Sequence, residues 1–175
     1  MIILISGSTH TGKTALAQKL IMKYHYPCMS LDHLKMGLIR SGLTHLTPQD
    51  DDKMTDLLWP IVKEMIKTAI ENKQNMIMEG CYFPHNWRTY FTEEYAKHIH
   101  FICLVMSPNY IETHFDDIKK YASVIEARIH DDFYDKDLLI KENLTNLELC
   151  KKYNCDYILI DEEYNVDINV ETLAF

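Results

Sequence analysis

The sequence predicts an α/β fold: a parallel sheet covered by helices on both faces, three layers in all. Three observations carry that expectation. Short, almost continuously apolar runs recur along the chain; stretches with apolar residues three and four apart separate them; and each run stops at a polar or glycine-containing turn. At 175 residues, with 47% hydrophobic and 25% charged side chains and only five Gly and five Pro, the composition is that of one globular domain with a real core. Disordered, collagenous and low-complexity classes are excluded.

The elements follow in order. Ile2 to Ile5 is the first strand, stopped by Ser6-Gly7. A helix starts at Lys13 and repeats Leu16, Ala17, Leu20, Ile21 and Tyr24 on one face. Cys28 to Leu31 reads as the second strand, and Asp32 as a cap for a helix carrying Leu34, Leu38 and Ile39 and ending near Ser41-Gly42. The strongest periodicity spans roughly 48–73, with Thr47 as N-cap, Pro48 in the first turn and a kink expected at Pro60. Met76 to Met78 and His100 to Met106 are the third and fourth strands, with a broken helix over Pro84 to Lys97 between them. Ser107-Pro108 opens a helix with Ile111, Phe115 and Ile118 inward. Residues 121–136 read as a mobile connection, 137–153 as a helix with Ile140, Leu144 and Leu147 in register, Tyr157 to Ile160 as the last strand, and the remainder as an acidic tail.

Net charge is -8, and it is uneven: residues 1–106 carry a net +1 and residues 107–175 a net -9. Such a surface repels phosphate backbones and anionic lipid at long range, which disfavours nucleic-acid and membrane partners. Cys28, Cys81, Cys103, Cys150 and Cys155 show no CxxC spacing and are read as reduced structural thiols, with no disulfide or metal role. The opening MIILIS is too short for a signal-peptide core and no run approaches a membrane span, so a cytoplasmic location is expected.

Right-handed crossovers place the C-terminal ends of all parallel strands, and with them Gly7, Asp32, Glu79 and Ser107, along one edge. Residues 7–14, Gly7-Ser8-Thr9-His10-Thr11-Gly12-Lys13-Thr14, form a complete GxxxxGK[ST] sequence between the first strand and first helix. The spacing lets backbone N–H groups wrap a polyphosphate at a helix N-terminus, with Lys13 on the β- and γ-phosphoryl oxygens and the Thr14 hydroxyl on Mg²⁺. An ATP site with Mg²⁺ is therefore expected. His98 and His100, an HxH pair with no third ligand in sight, are not expected to bind metal.

With that loop, with Ser30-Leu31-Asp32-His33-Leu34-Lys35 after the second strand and with Glu79-Gly80 after the third, the chain resembles the small P-loop kinases. These include shikimate, gluconate and adenylate kinases, chloramphenicol phosphotransferase, zeta-toxin-like kinases and 2-phosphoglycerate-kinase-like proteins. The resemblance implies a five-stranded parallel sheet in the order 2-3-1-4-5, a small lid, and one kinase domain over 1–175 with lid and acceptor elements near 33–60 and 108–136. It implies γ-phosphoryl transfer from Mg-ATP to a hydroxyl of a small-molecule acceptor. Asp32 is placed to orient or deprotonate that hydroxyl, Glu79 to order Mg²⁺ beside Thr14, and Lys35, Arg40, Glu79, Gly80 and Arg88 to line the acceptor site. Arg128 is the lid cation, with Lys119 and Lys120 behind it, and Tyr164 can pack near an adenine.

The chain holds only three arginines, Arg40, Arg88 and Arg128, against the arginine cluster of adenylate kinases, which favours a less charged acceptor. The nearest alternative is a nucleoside or nucleoside monophosphate kinase. The alternative of another class is an ATP-binding switch without an acceptor. No NKxD guanine-reading sequence is present.

Overall fold

The computed structural model describes residues 1–121 and 135–172, save the side chain of Asp52. Five parallel strands form one sheet in the order β2-β3-β1-β4-β5: β1 (Ile2–Gly7), β2 (Cys28–Ser30), β3 (Met76–Glu79), β4 (Ile99–Met106) and β5 (Asp156–Ile160). Strand alternation sorts the sheet into two cores. Ile2, Leu4, Met78, Phe101, Cys103 and Val105 face one layer, and Ile3, Ile5, Ile77, Ile102 and Leu104 the other. Burial on both faces explains why these strands read as unbroken apolar runs.

The first layer is covered mainly by α3 (Asp51–Glu71), with Met54, Leu58, Val62, Ile66 and Ala69 inward, and by Trp87 of the short 3₁₀ turn Trp87–Tyr90. That turn and α4 (Glu93–Ala96) are the broken helix expected between β3 and β4. The second layer is covered by α1 (Lys13–Tyr24) and α5 (Pro108–Tyr121). Ser107 caps α5, its Oγ accepting from the Tyr110 N–H at 3.0 Å.

Several expectations are corrected. The long helix begins at Asp51, because Asp50 Oδ2 accepts from both the N–H and the hydroxyl of Thr47 and closes a turn over 47–50. These bonds, the backbone one first, hold the half-buried Asp50 carboxyl at about 2. Thr47 and Pro48 therefore precede the helix, which continues as one element through Pro60. Asp32 is not a cap: α2 (Leu31–Arg40) has Ser30 at its N-cap and Asp32 inside the first turn. In α6 (Lys136–Tyr153) the buried positions are Leu139, Asn143 and Cys150, whereas Leu144 is exposed; Asn143 faces inward because its Oδ1 accepts from the Met106 N–H at 2.8 Å. An apolar-only search for periodicity passes over such a residue. Of the 108–136 segment, residues 108–121 are α5, packed on the second layer through Tyr110, Ile111 and Ile118.

The acidic tail is also not a loose end. Val166, Ile168 and Val170 are buried in the second core, alternating with polar residues. Lys19 Nζ donates to the Val166 carbonyl at 3.0 Å and the Val170 N–H to Tyr24 Oη at 3.1 Å, so the tail straps α1. Ile168→Ala is expected to cost about 2–4 kcal/mol, the range for truncating a buried Ile, read as a lower urea midpoint at unchanged slope.

Candidate functional site at the carboxyl edge of the sheet

The loop after β1 is a tightly determined turn. Gly7, His10 and Gly12 all take positive φ (138°, 63° and 84°). At Gly7 a Cβ would lie 2.5 Å from the Leu104 carbonyl oxygen of the adjacent strand. Thr11 Oγ1 and Lys13 Nζ both donate to the Ser8 carbonyl at 2.8 Å, folding the loop on itself over a buried Lys13. Gly12 is the N-cap of α1, so the unbonded N–H groups of the first helical turn and the positive end of the helix dipole face the loop's concavity.

Two contacts from far along the chain brace this loop. Tyr164 Oη donates to the Thr11 carbonyl at 3.3 Å, and burial pushes its phenol up to about 12. Asn146 Nδ2, from α6, donates to Ser8 Oγ at 2.8 Å. Asn146 carries no local motif and sequence reading missed it. Tyr164 instead supports the loop from outside and occupies the space a Gly12 side chain would need, a Cβ there lying 1.8 Å from its hydroxyl. Gly12→Ala therefore combines a clash with a left-handed conformation. It is expected to destabilise the protein by about 2–4 kcal/mol, more than the ~1–2 kcal/mol of the dihedral alone; chemical denaturation of this variant alone and with Tyr164→Phe checks the value.

Glu79 ends β3, buried, level with Ile5 of β1 and Ser30 of β2. Thr14 Oγ1 donates to Glu79 Oε2 at 3.5 Å, so the two oxygen groups expected at a magnesium ion converge at the mouth of the loop. One hydroxyl and one carboxylate match the few protein oxygens that Mg²⁺ takes beside a nucleotide. The neighbouring Cys28 thiol is raised to about 11 by burial and then by the Glu79 charge, so it stays protonated. Gly80 follows, its N–H donating to the Ile5 carbonyl at 3.1 Å and its Cα against Leu31.

The next two residues were not singled out in the sequence. Lys13, Asp32 and Asp51 all lie close enough to Cys81 to act on its charge. Tyr82 is buried and joins Lys35 and Asp51 in a closed network: Lys35 Nζ donates to Tyr82 Oη at 2.7 Å, to Asp51 Oδ1 at 2.6 Å and to the Pro48 carbonyl at 3.0 Å, while Tyr82 Oη donates to Asp51 Oδ1 at 2.7 Å. Burial, then the Asp51 bond, push the Tyr82 phenol far above the usual tyrosine range. All three N–H donors of Lys35 are engaged, tying α2 to the start of α3 and to the end of β3.

The other expected cations are dispersed. Arg40 is exposed as the last residue of α2, eight positions beyond Asp32, about 12 Å along the axis. Arg88 stacks on the Trp87 ring at 4.6 Å and acts on His100 and Cys155, toward the amino ends of β4 and β5, away from the phosphate loop. Lys119 lies over Phe115 at 4.3 Å and Lys120 over Tyr121 at 5.5 Å. Arg128 falls outside the described residues. A cavity of about 490 Å³ opens at the amino ends of the strands, lined by Met1, Ile70, Glu71, Tyr95 and His98 among others, and holds none of the expected site residues.

A parallel 2-3-1-4-5 sheet whose first strand runs through a GxxxxGK[ST] loop into a helix defines a P-loop nucleotide-binding protein. No family model and no curated protein matches the chain. Among solved structures it is similar to a deoxyadenosine kinase from M. mycoides (17% identity, 99% of this chain and 94% of that one, TM-score 0.56). It is similar also to a gluconokinase from Sinorhizobium meliloti 1021 (15%, 93% and 83%, 0.52) and a shikimate kinase from Bacteroides thetaiotaomicron (16%, 94% and 90%, 0.51). The chain has the fold of the P-loop kinase superfamily. No helix among the described residues is long and apolar enough to cross a membrane.

Proposed function

We propose that the protein is a Mg²⁺- and ATP-dependent phosphotransferase that moves the γ-phosphoryl group to a hydroxyl of an uncharged small molecule. The observation that carries this reading is the meeting of Thr14 with Glu79 at the carboxyl ends of β1 and β3, beside the buried Lys13, with Asp32 in the first turn of the helix after β2. Phosphoryl transfer asks mainly for alignment and charge neutralisation. The 7–14 backbone and Lys13 hold the β- and γ-phosphoryl oxygens, and Thr14 and Glu79 hold the magnesium ion, which when bound neutralises charge developing between those phosphates. Asp32 accepts a hydrogen bond from the attacking hydroxyl, aims it at the phosphorus and takes its proton.

The state of Lys35 favours an acceptor without charge. Its ammonium is matched by Asp51 at 2.6 Å and its donors are spent on protein groups, so the start of α2 offers the Asp32 carboxylate beside a neutralised Lys35. That environment favours polyols, sugars and nucleosides over phosphorylated or carboxylated acceptors. Lys35 then serves as a strut of the acceptor wall, and Arg40 and Arg88 stand outside the site. The test is ATP turnover against separate pools of uncharged polyols and sugars, nucleosides, and nucleoside monophosphates, with product masses. Turnover confined to the monophosphate pool would overturn the acceptor class while leaving phosphoryl transfer intact.

A further inference from the structure

On the face of the sheet that α3 covers, His85, Cys103 and Cys150 converge from three elements: the segment after β3, the middle of β4 and the last turn of α6. One ligand atom from each lies within 4.8 Å of the other two, and both cysteines are fully buried. We propose that these three side chains bind a thiophilic divalent cation, with Zn²⁺ as the fitting ion, at a structural site separate from the magnesium position.

Zinc–ligand bonds of roughly 2.0–2.3 Å in a tetrahedron put the ligand atoms about 3.5–3.8 Å apart, so side-chain shifts of about 1 Å bring three corners onto the ion, and a water would take the fourth. Charge balances as well. Two thiolates and a neutral imidazole cancel a divalent cation, so the loaded cluster buries no net charge, whereas a monovalent copper ion would leave one negative charge in the core. Sulfur donors select against Mg²⁺, so nucleotide-bound magnesium does not compete. A second observation concerns the imidazole: His85 Nε2 is buried, and no hydrogen bond to it comes from outside the cluster, whose Cys150 thiol lies against the ring. Cys155 supports the site from behind, its thiol donating to the His85 carbonyl at 3.1 Å and fixing the main chain of that ligand. Ligands 18 and 47 positions apart leave no spacing motif, which is why the thiols read as inert in the sequence.

Cys150 lies one helical turn beyond Asn146, the residue that holds Ser8 of the phosphate loop. A cation clamping Cys150 to β4 and to the segment after β3 would fix the helix that braces the loop.

The test uses the full chain, reduced and stripped with chelator, titrated with Co²⁺ and then with Zn²⁺. One Co²⁺ per chain is expected, with an intense thiolate-to-cobalt charge-transfer band that Zn²⁺ abolishes, and Zn²⁺ should raise the thermal midpoint. Cys150→Ser and His85→Gln should weaken Co²⁺ binding by more than about tenfold, while Cys28→Ser and Cys81→Ser leave it unchanged. His85 is only partly buried, so its variant tests the site without opening the core. Absence of the band in the wild-type chain, its survival in His85→Gln and Cys150→Ser, or its loss in Cys81→Ser would overturn the proposal. So would a Cys103–Cys150 disulfide in place of metal uptake.

Discussion

Lys13→Ala is expected to lower phosphoryl transfer by about a thousandfold or more, to the level of the assay blank, with the fold retained. The ammonium group is buried inside the loop, 2.8 Å from the Ser8 carbonyl, ready to turn toward the phosphates without leaving the concavity. Charge that migrates from the γ-phosphoryl group to the β-phosphoryl oxygens during transfer meets a preorganised cation in a site screened from water, where one such group is worth about 3–4 kcal/mol or more. Alanine removes it and leaves the Ser8 carbonyl to Thr11, which already donates to it at 2.8 Å, so the loop keeps its turn. Circular dichroism and the unfolding midpoint separate lost chemistry from lost structure. A variant with wild-type turnover would remove the loop from the reaction.

Asp32→Asn is expected to lower kcat by about a hundred- to ten-thousandfold while the KM for ATP stays within about threefold. The asparagine keeps the shape and the place in the first turn of α2 but loses the charge that takes the proton. If Asp32 mattered only to helix stability, the cost would be the ~0.3–1 kcal/mol of a carboxylate at a helix N-terminus, seen in the unfolding midpoint with turnover unchanged. Since Ser30 is the residue at the N-cap, the two outcomes are separable by measuring both quantities on the same variant.

The central strands β1, β3 and β4 were legible from the sequence because they are buried on both faces. Apolar runs from Ile2 to Ile5 and from Phe101 to Met106 leave little alternative, and Gly7 through Thr14 determine the loop between β1 and α1 chemically. What escaped were pairings set by tertiary geometry. Lys35 is expected from the sequence to line the acceptor site and is instead buried against Tyr82 and Asp51, 47 and 16 residues away. Arg88, expected beside it, is carried to the other end of the strands by the turn at Trp87–Tyr90. The start of α3 was misplaced because Thr47 and Pro48 imitate a helix start so well; the competing Thr47–Asp50 bonds decide the turn locally. Asn146 and the Val166–Val170 strap carry no local signature, since each is specified by its partner, Ser8 in one case and α1 in the other.

The most direct test of phosphoryl transfer to an uncharged hydroxyl follows the phosphorus itself. The chain is incubated with Mg²⁺ and γ-labelled ATP in the presence of pooled polyols, sugars and nucleosides, and separately of nucleoside monophosphates, with the Lys13→Ala chain in parallel. Label should appear on an acceptor hydroxyl in one-to-one ratio with ADP, in the wild-type chain alone. ATP bound and retained, or released as ADP and inorganic phosphate with no labelled acceptor from these pools or from nucleoside monophosphates, would contradict the account and leave a nucleotide-holding module in its place.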